Sequence, residues 1–291
     1  MKSLCKEYLL AHSIEEVIAT LSAAHDSARI ISGGSDLLLE IQQGIHPPVG
    51  TLVDVTEVEE MCALEICGGF LFIGASVTLS RITHSHLTNL HAQALTDATV
   101  LMANPQVCNV ATLGGNVAHA LPAADGTIAL LALDALAEIA SITGVHKILF
   151  RDLFLGPGKT ALKQGEELLV GFYLPILKIH QASCFKRIMR PQGVALPILN
   201  CAVWLERTED IIKDIRVAIG PGGPTPFRAT QTEAVLRGLP FTNSNVEMAA
   251  ETIILEAHFR TSTRRASQEY RMHLASRLFM DTTLSAWERA K

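Results

Sequence analysis

The sequence predicts an α+β fold of two domains. The chain has 291 residues, which is more than one hydrophobic core usually serves. Strands and helices are predicted to be mixed before Pro175, whereas three strand-like runs precede three helical runs after it. We therefore expect a first domain of residues 1–176, divided into subdomains of about 1–56 and 57–176, and a second domain of residues 177–291.

Alternating strand and helix patterns predict the first subdomain. A helix is expected to begin at Ser13, because this hydroxyl residue and Glu16 form a capping box ahead of an amphipathic run. The strand predicted over 28–31 leads to a pair of glycines. The other predicted elements are a helix over 37–43, which ends at Gly44, and a strand over 51–55.

The second subdomain is predicted to begin with a hairpin. Residues 63–66 and 69–75 alternate in polarity around a turn at Cys67-Gly68. The run 126–137 is rich in alanine and leucine and fits either a strand or a buried helix. The other predicted elements are a helix capped by Thr78, a helix over 92–102, and strands over 138–142 and 166–174.

The second domain is predicted from three strands and three helices. Its strands are expected over 182–189, 198–206 and 211–219, and its helices over 230–237, 246–258 and 268–289. Strands that are segregated from helices in this way indicate an α+β module.

Composition excludes several classes of protein. Hydrophobic residues make up 48% of the chain and charged residues 18%, which is typical of a globular protein and not of a disordered one. The net charge is -5 and no basic run appears, so we expect no nucleic-acid partner. No apolar run is long enough for a membrane span or placed as a signal peptide requires, so we expect a cytoplasmic protein without a membrane partner.

The cysteines and histidines predict no metal site. The six cysteines include no C-x-x-C spacing, which argues against a zinc ribbon or an iron-sulfur cluster in this chain. We expect them to be buried thiols in a reducing compartment. His84 and His86 are close in sequence, but they have no nearby cysteine or carboxylate partner.

Two glycine pairs are candidate ligand-binding loops. Gly33-Gly34 lies between a predicted strand and a helix start, and Gly114-Gly115 lies between Thr112 and Asn116. Glycine allows backbone N-H groups to face a ligand that a Cβ atom would hold off. Two such loops suit a ligand with a diphosphate and a long polyol arm. Glycine pairs also occur in ordinary turns, and spacing alone leaves both interpretations open.

Two further glycine motifs do not match known phosphate-binding patterns. The segment 220–223, Gly-Pro-Gly-Gly, lacks the G-x-G-x-x-G spacing of a Rossmann site. The segment 158–160, Gly-Lys-Thr, resembles the end of a P-loop, but Leu153 stands where the first glycine is required.

Four segments together resemble the FAD-binding subunits of the molybdenum hydroxylases. They are residues 31–38, 109–118, 155–161 and 218–229, and they follow the family's order along nearly the whole chain. The sequence resembles xanthine-dehydrogenase-like flavin subunits and is similar to the medium subunit of carbon monoxide dehydrogenase. The resemblance implies a PCMH-type FAD-binding domain of two α/β subdomains, followed by a three-stranded antiparallel sheet with a three-helix C-terminal domain.

The resemblance also implies which residues bind FAD. The first loop would hold the diphosphate through its backbone amides and the Ser35 hydroxyl, whereas Asp36 is expected to cap the helix that follows. Asp125 would bind the polyol portion, and Lys186 could stabilise negative charge on the reduced ring. The full set is Ile30, Ile31, Ser32, Gly33, Gly34, Ser35, Asp36, Leu37, Met102, Ala111, Thr112, Leu113, Gly114, Gly115, Asn116, Asp125, Leu169 and Lys186.

Three residues depart from the pattern of relatives. Ser35 stands where covalent flavoproteins of the wider fold commonly have histidine, so FAD is expected to be bound non-covalently. Met102 stands where some relatives have an aromatic residue, and Cys108 where many have arginine or another large polar residue. Both changes affect the surroundings expected for the flavin ring.

The resemblance implies electron transfer without a catalytic side chain. Substrate would be oxidised at a molybdopterin-binding subunit, and a two-iron two-sulfur subunit would pass the electrons to the FAD of this chain. Molybdopterin and the clusters would be held by those partners alone, and NAD is the expected acceptor. Two alternatives remain open at this point, a free-standing flavin oxidoreductase of the same fold and a flavin-free scaffold subunit.

Overall fold

The computed structural model describes residues 4–24, 27–47, 49–190, 196–263 and 265–291. Its helices are α1 (Ile14–Ala24), α2 (Leu37–Gln42), α3 (Glu59–Cys62), α4 (Leu79–His84), α5 (His86–His91), α6 (Gln93–Leu101), α7 (Pro105–Cys108), α8 (Leu113–Ala118), α9 (Asp125–Ala132), α10 (Thr230–Leu236), α11 (Asn243–Glu256) and α12 (Gln268–Arg289). Its strands are β1 (Cys5–Leu10), β2 (Ala28–Ile31), β3 (Val49–Asp54), β4 (Leu64–Cys67), β5 (Phe70–Gly74), β6 (Leu136–Ser141), β7 (Gly144–Leu149), β8 (Phe154–Gly156), β9 (Lys159–Thr160), β10 (Glu167–Pro175), β11 (Gln181–Met189), β12 (Pro197–Thr208), β13 (Ile211–Gly220) and β14 (Phe227–Arg228).

The first sheet is parallel and has the strand order β1-β3-β2. The predicted capping box forms at the start of α1, where the Ser13 hydroxyl accepts a hydrogen bond from the Glu16 amide at 3.2 Å. The Glu16 carboxylate accepts from the amide of His12 at 2.9 Å, one residue earlier than the motif requires. Strand β1 was not predicted from the sequence. It is an edge strand with three consecutive exposed residues, so its sequence lacks the regular apolar alternation that indicates a strand.

The second sheet is antiparallel and has the order β4-β5-β10-β6-β7. The predicted hairpin of β4 and β5 forms, but its turn is one residue later than expected. Gly68 and Gly69 have φ angles of 57° and 81°, the left-handed conformation that a two-residue hairpin loop requires at both positions. Strand β7 was not predicted, and nearly all of its side chains are exposed.

The undecided run 126–137 contains helix α9 followed by the start of β6. All eight residues of α9 are buried. A helix that is enclosed on every side needs no polar stripe, so its sequence lacks the periodic pattern by which a surface helix is recognised.

The C-terminal sheet is antiparallel and has the order β11-β12-β13-β14. The sequence predicted three strands. The fourth, β14, has two residues and is too short to show an alternating pattern. The three predicted helices form as α10, α11 and α12, and together with one face of the sheet they enclose a hydrophobic core.

The other face of the C-terminal sheet packs on the preceding part of the chain. Phe185, Ala202, Trp204 and Ala218 belong to the same buried cluster as α6 and α9. Neighbouring residues on a strand point to opposite faces, so each of β11, β12 and β13 contributes to both cores. Helix α9 contacts β12 and β13 of this sheet as well as α6 and α8 of the first domain.

An arginine-aspartate pair joins the last helix to α6. Arg289 donates to both carboxylate oxygens of Asp97, at 2.6 Å and 3.0 Å, and to the carbonyl of Ser183 at 2.8 Å. Asp97 also accepts from the amide of Phe185 in β11 at 3.1 Å. These hydrogen bonds to Asp97 and Ser183 fix α12 and β11 against α6.

The sequence predicted buried cysteines, but most of the cysteines are not buried. Cys184 and Cys201 are buried, Cys67 is exposed, and the other three are intermediate. Within the described ranges, no helix has both the length and the apolar character needed to cross a membrane.

We expect Arg289→Met to lower the free energy of unfolding by about 1–2 kcal/mol, because Asp97 and the Ser183 carbonyl lose a charged donor at a partly solvated contact. Urea unfolding of the flavin-free protein measures this change. Arg277→Met is the control, because Arg277 pairs with Asp281 on the same helix and its side chain is 75% exposed. Its effect should stay within about 0.5 kcal/mol, and equal losses in the two variants would contradict the prediction.

Candidate functional site

The first predicted loop presents a run of free backbone amides. It connects β2 to α2, and no residue that the structure describes accepts a hydrogen bond from the N-H groups of residues 33–36. Gly34 has a φ of +66°, which glycine adopts without strain. Consecutive free amides in a tight loop form an anion-binding concavity and require no lysine.

Some side chains of this loop contact the rest of the protein, whereas others are available to a ligand. The Ser32 hydroxyl donates to Ser76 at 3.2 Å, whereas Ser35 is exposed and its hydroxyl has no partner among the described residues. Asp36 stands at the N-cap position of α2, as predicted, but its side chain makes no capping hydrogen bond. The first turn of α2 contains Glu40, but among the described residues its carboxylate accepts no hydrogen bond from the free amides.

Strand β2, which precedes this loop, packs its side chains into the protein interior. Ile31 is 7% exposed and Ile30 is partly buried, so both side chains contribute to packing, whatever contacts their backbone makes with a ligand. Their predicted role in binding is therefore restricted to the main chain at the end of β2.

The first loop rests directly on the second one. A Cβ atom on Gly33 would lie 2.1 Å from the carbonyl oxygen of Val110 and 2.8 Å from the Cα of Ala111. These distances are too short for any side chain, so glycine is required here for contact between two backbones. The contact brings the two predicted loops together.

The second glycine pair does not supply free amides, contrary to the prediction. The Gly114 N-H donates to the carbonyl of Ala75 at 2.8 Å, and the Gly115 N-H donates to the hydroxyl of Thr112 at 3.2 Å. The reason is that the segment is the first turn of α8, with Thr112 as its N-cap. Leu113, the first residue of that helix, is also engaged, because its N-H donates to the carbonyl of Val77.

Gly114 is needed for packing, whereas Gly115 faces open space. A Cβ on Gly114 would lie 2.6 Å from the Ala75 carbonyl oxygen, so α8 could not approach β5 as closely. A Cβ on Gly115 would meet only the Thr112 hydroxyl, at 3.2 Å, and the residue is exposed. The second loop can therefore offer a ligand the surface at Gly115 but not the amides of Leu113, Gly114 and Gly115.

Asn116 and Met102 meet at the start of α9. Built on Gly126, a Cβ would lie 2.8 Å from the Asn116 Oδ1 and 3.1 Å from the Met102 methyl carbon. The Asn116 Oδ1 is buried and has no hydrogen-bond donor among the described residues. Cys108, the other predicted departure, donates its thiol to the Met102 carbonyl at 3.1 Å.

Asp125 is buried in a polar network that crosses to the C-terminal sheet. One carboxylate oxygen accepts from Arg187 Nη1 at 2.5 Å, and the other accepts from Asn200 Nδ2 at 2.6 Å. Burial raises the pKa of Asp125 above the usual aspartate range, and the Arg187 charge and the hydrogen bonds from Asn200 and Arg187 offset part of this rise. The carboxylate therefore has a structural role beside the one that the resemblance implied.

Two predicted residues are directed away from the loops. Leu169 is 6% exposed and lies in the core of the first domain, next to an irregularity in the pairing of β10 with β6. The Lys186 ammonium donates to the Asp281 carbonyl of α12 at 2.9 Å, whereas Arg187 reaches Asp125 on the opposite side of the sheet. The Lys186 ammonium therefore contacts α12, and its position beside the ring stays a prediction.

The sequence analysis missed Arg187 and Asn200. Strand alternation means that Lys186 and Arg187 cannot serve the same face, and the sequence alone did not reveal which face met the first domain. Asn200 carried a usable signal, since it interrupts the apolar run from 198 to 205 and is fully buried.

The observed groups fit FAD. Free amides at residues 33–36 suit a diphosphate, while the unpartnered Asn116 Oδ1 suits a hydroxyl group of the polyol. The two groups lie on loops that touch at Gly33. The fold and the site thus define an FAD-binding protein with a separate C-terminal α+β domain.

Comparison with known proteins shows the family. Residues 3–177 match the FAD binding domain in molybdopterin dehydrogenase, and residues 183–286 match the CO dehydrogenase flavoprotein C-terminal domain. The chain belongs to this family of FAD-binding subunits of molybdenum hydroxylases, and it is an oxidoreductase subunit. The family and fold expected from the sequence are confirmed.

Relatives match over most of their length. The putative xanthine dehydrogenase FAD-binding subunit of Escherichia coli K12 is 31% identical over 257 residues, 87% of either chain. The nicotine 6-hydroxylase medium subunit of Paenarthrobacter nicotinovorans is 30% identical over 290 residues, 99% of this chain and 100% of its own. The carbon monoxide dehydrogenase structure from Hydrogenophaga pseudoflava superimposes with a TM-score of 0.94 at 25% identity and covers 100% of both chains.

We expect Gly33→Ala to reduce flavin retention, because its Cβ would collide with the Val110 carbonyl and separate the two loops. The Kd for FAD should rise about tenfold, equivalent to roughly 1.4 kcal/mol of binding free energy, so the flavin-to-protein ratio of the purified variant should fall below that of the wild type. Visible absorbance measures this ratio. Gly156→Ala is the matched control, since a Cβ there would meet nothing within 4 Å. An unchanged ratio in Gly33→Ala would show that the loop contact does not matter for binding.

Proposed function

We propose that this chain receives electrons from an iron-sulfur partner subunit and passes them through FAD to a soluble acceptor, with NAD as the acceptor. The observation that carries the proposal is the run of free amides at residues 33–36, held against the second loop by Gly33. Bound FAD supplies reversible electron uptake, and the protein supplies position and electrostatics.

The proposed contacts assign each part of the site a task. The amides of residues 33–36 and the Ser35 hydroxyl would hold the diphosphate, while Asn116 and the remaining acceptor capacity of Asp125 would face the polyol. The exposed surface at Gly115 leaves room for the cofactor chain. Leu169 and Lys186 remain predicted contacts, although their side chains point elsewhere.

We also propose that FAD is bound non-covalently. Ser35 occupies the position where the sequence analysis expected a histidine in covalent relatives of the wider fold, and its hydroxyl cannot form that link to the ring. The loop then retains the cofactor by hydrogen bonds and charge alone.

The partners are proposed from the relatives. The Paenarthrobacter and Hydrogenophaga proteins are the medium subunit or chain of their enzymes, and the Hydrogenophaga structure is of a carbon monoxide dehydrogenase that lacks the Mo-pyranopterin moiety of its molybdenum cofactor. We therefore propose a molybdopterin-binding subunit and a two-iron two-sulfur subunit as partners. Both xanthine dehydrogenase and nicotine 6-hydroxylase occur among the relatives, so the substrate class varies within the family.

Denaturation and anaerobic reduction test this proposal. We expect acid denaturation to release FAD into the supernatant, at one per chain, and NADH to bleach the flavin absorbance of the native protein by driving the acceptor step in reverse. Co-purification with molybdenum- and iron-containing chains identifies the complex.

A colourless native protein would favour the scaffold alternative, and flavin that stays attached after denaturation would contradict non-covalent binding. A flavoprotein purified without those chains would favour the free-standing oxidoreductase, and one that NADH cannot reduce would exclude NAD as the acceptor.

A further inference from the structure

Arg187 connects two separate segments of the candidate site. Its guanidinium donates to Asp125 Oδ2 at 2.5 Å and, through its other terminal nitrogen, to the carbonyl of Leu101. That nitrogen also lies 3.2 Å from the sulfur of Met189. One side chain of the C-terminal sheet therefore holds the end of α6 and the start of α9 together.

These two segments form the surroundings of Asn116. Leu101 precedes Met102, whose methyl carbon lies beside Gly126, and Asp125 precedes Gly126 directly. The Asn116 Oδ1 lies against the same glycine. A shift of either segment would change the position of the unpartnered amide oxygen that faces the proposed polyol.

The Arg187–Asp125 pair is enclosed. The exposed fractions of the two side chains are 6% and 4%. Asn200 supports the pair by donating to Asp125 at 2.6 Å and to the Ala123 carbonyl at 3.0 Å. A buried carboxylate that loses its only charged partner is strongly disfavoured, whereas a neutral carboxyl group there is tolerated.

Other charges around α9 are already paired. On α6, Asp97 binds Arg289. At the far end of α9, Asp134 lies near Arg216 of β13 and Arg228 of β14. An eight-residue helix is about 12 Å long, so these arginines cannot replace Arg187. Among the described residues on the elements that pack against α9, Arg187 is the cation that faces Asp125.

We propose that Arg187 is a positioning residue of the FAD site, delivered by the C-terminal domain, which fixes the Asp125 and Leu101–Met102 segments so that the cofactor can bind. The proposal rests on the proposed FAD site. It assigns Asn200 the supporting role of orienting the same carboxylate.

The test is the pH dependence of FAD affinity in the full-length chain. In Arg187→Met, Asp125 would lose the charge that lowers its pKa, so the carboxyl group would become neutral at a higher pH than in the wild type. FAD binding should be weakened about ten- to a hundredfold at high pH, the loss typical of groups that orient binding side chains in metal sites. It should recover as the pH falls through the raised pKa, because the unpaired buried charge then disappears.

Three further variants make the result specific. Asp125→Asn combined with Arg187→Met should remove the pH dependence, because the titrating group is absent. Arg187→Lys should retain a flat profile with weaker binding, since it keeps the charge but cannot make both contacts. Arg289→Met breaks a different arginine-aspartate pair between the two halves of the chain and should bind FAD like the wild type at every pH.

The outcomes separate the two proposals. Wild-type protein that binds no FAD at any pH would overturn the proposed function itself. Wild-type protein that binds FAD, with Arg187→Met showing the same affinity and a flat profile, would overturn the positioning role alone. If Arg187→Met does not fold, Arg187→Lys decides, and wild-type affinity in that variant would also overturn the role.

Discussion

The contact between the backbones of the first and second loops is the constraint on which the candidate site depends. Gly33 leaves no space for a Cβ atom against Val110, so the two loops meet main chain to main chain. This close approach lets a loop with four free amides lie beside the helix that carries Asn116. The first loop follows strand β2 of the parallel sheet. The second loop leads into α8, which packs against Ala75 directly after β5.

The groups that attract an anion and the group that carries negative charge in this site come from different parts of the structure. The first loop attracts an anion with backbone dipoles, which are fixed by the fold and do not titrate. The only buried carboxylate at the predicted contacts, Asp125, is balanced by an arginine from the C-terminal sheet. An arginine of the C-terminal sheet thus lowers the pKa of a buried carboxyl group at the proposed FAD site.

Local features of the site could be predicted from sequence. The strand before Gly33, the position of α2 and the Thr112-Leu-Gly-Gly-Asn pattern all depend on neighbouring residues, and they were found. The hydrogen bonds of the amides in the second loop could not be predicted, because their acceptors lie more than thirty residues away in the sequence. Gly114 donates to Ala75, and Leu113 donates to Val77. The orientation of Lys186 and Arg187 likewise depends on which face of a sheet meets another domain. The fully buried α9 gave no periodic signal at all.

The burial of α9 has a consequence for how the polypeptide can be divided. Its eight residues are covered partly by side chains of the C-terminal sheet, among them Ala202, Trp204 and Ala218. A fragment that ended near residue 176 would expose the nonpolar side chains of this helix to water, with about 25 cal/mol of unfavourable free energy for each Å² of apolar surface uncovered. The two halves of the chain are therefore distinct in architecture but not independent as expressed fragments.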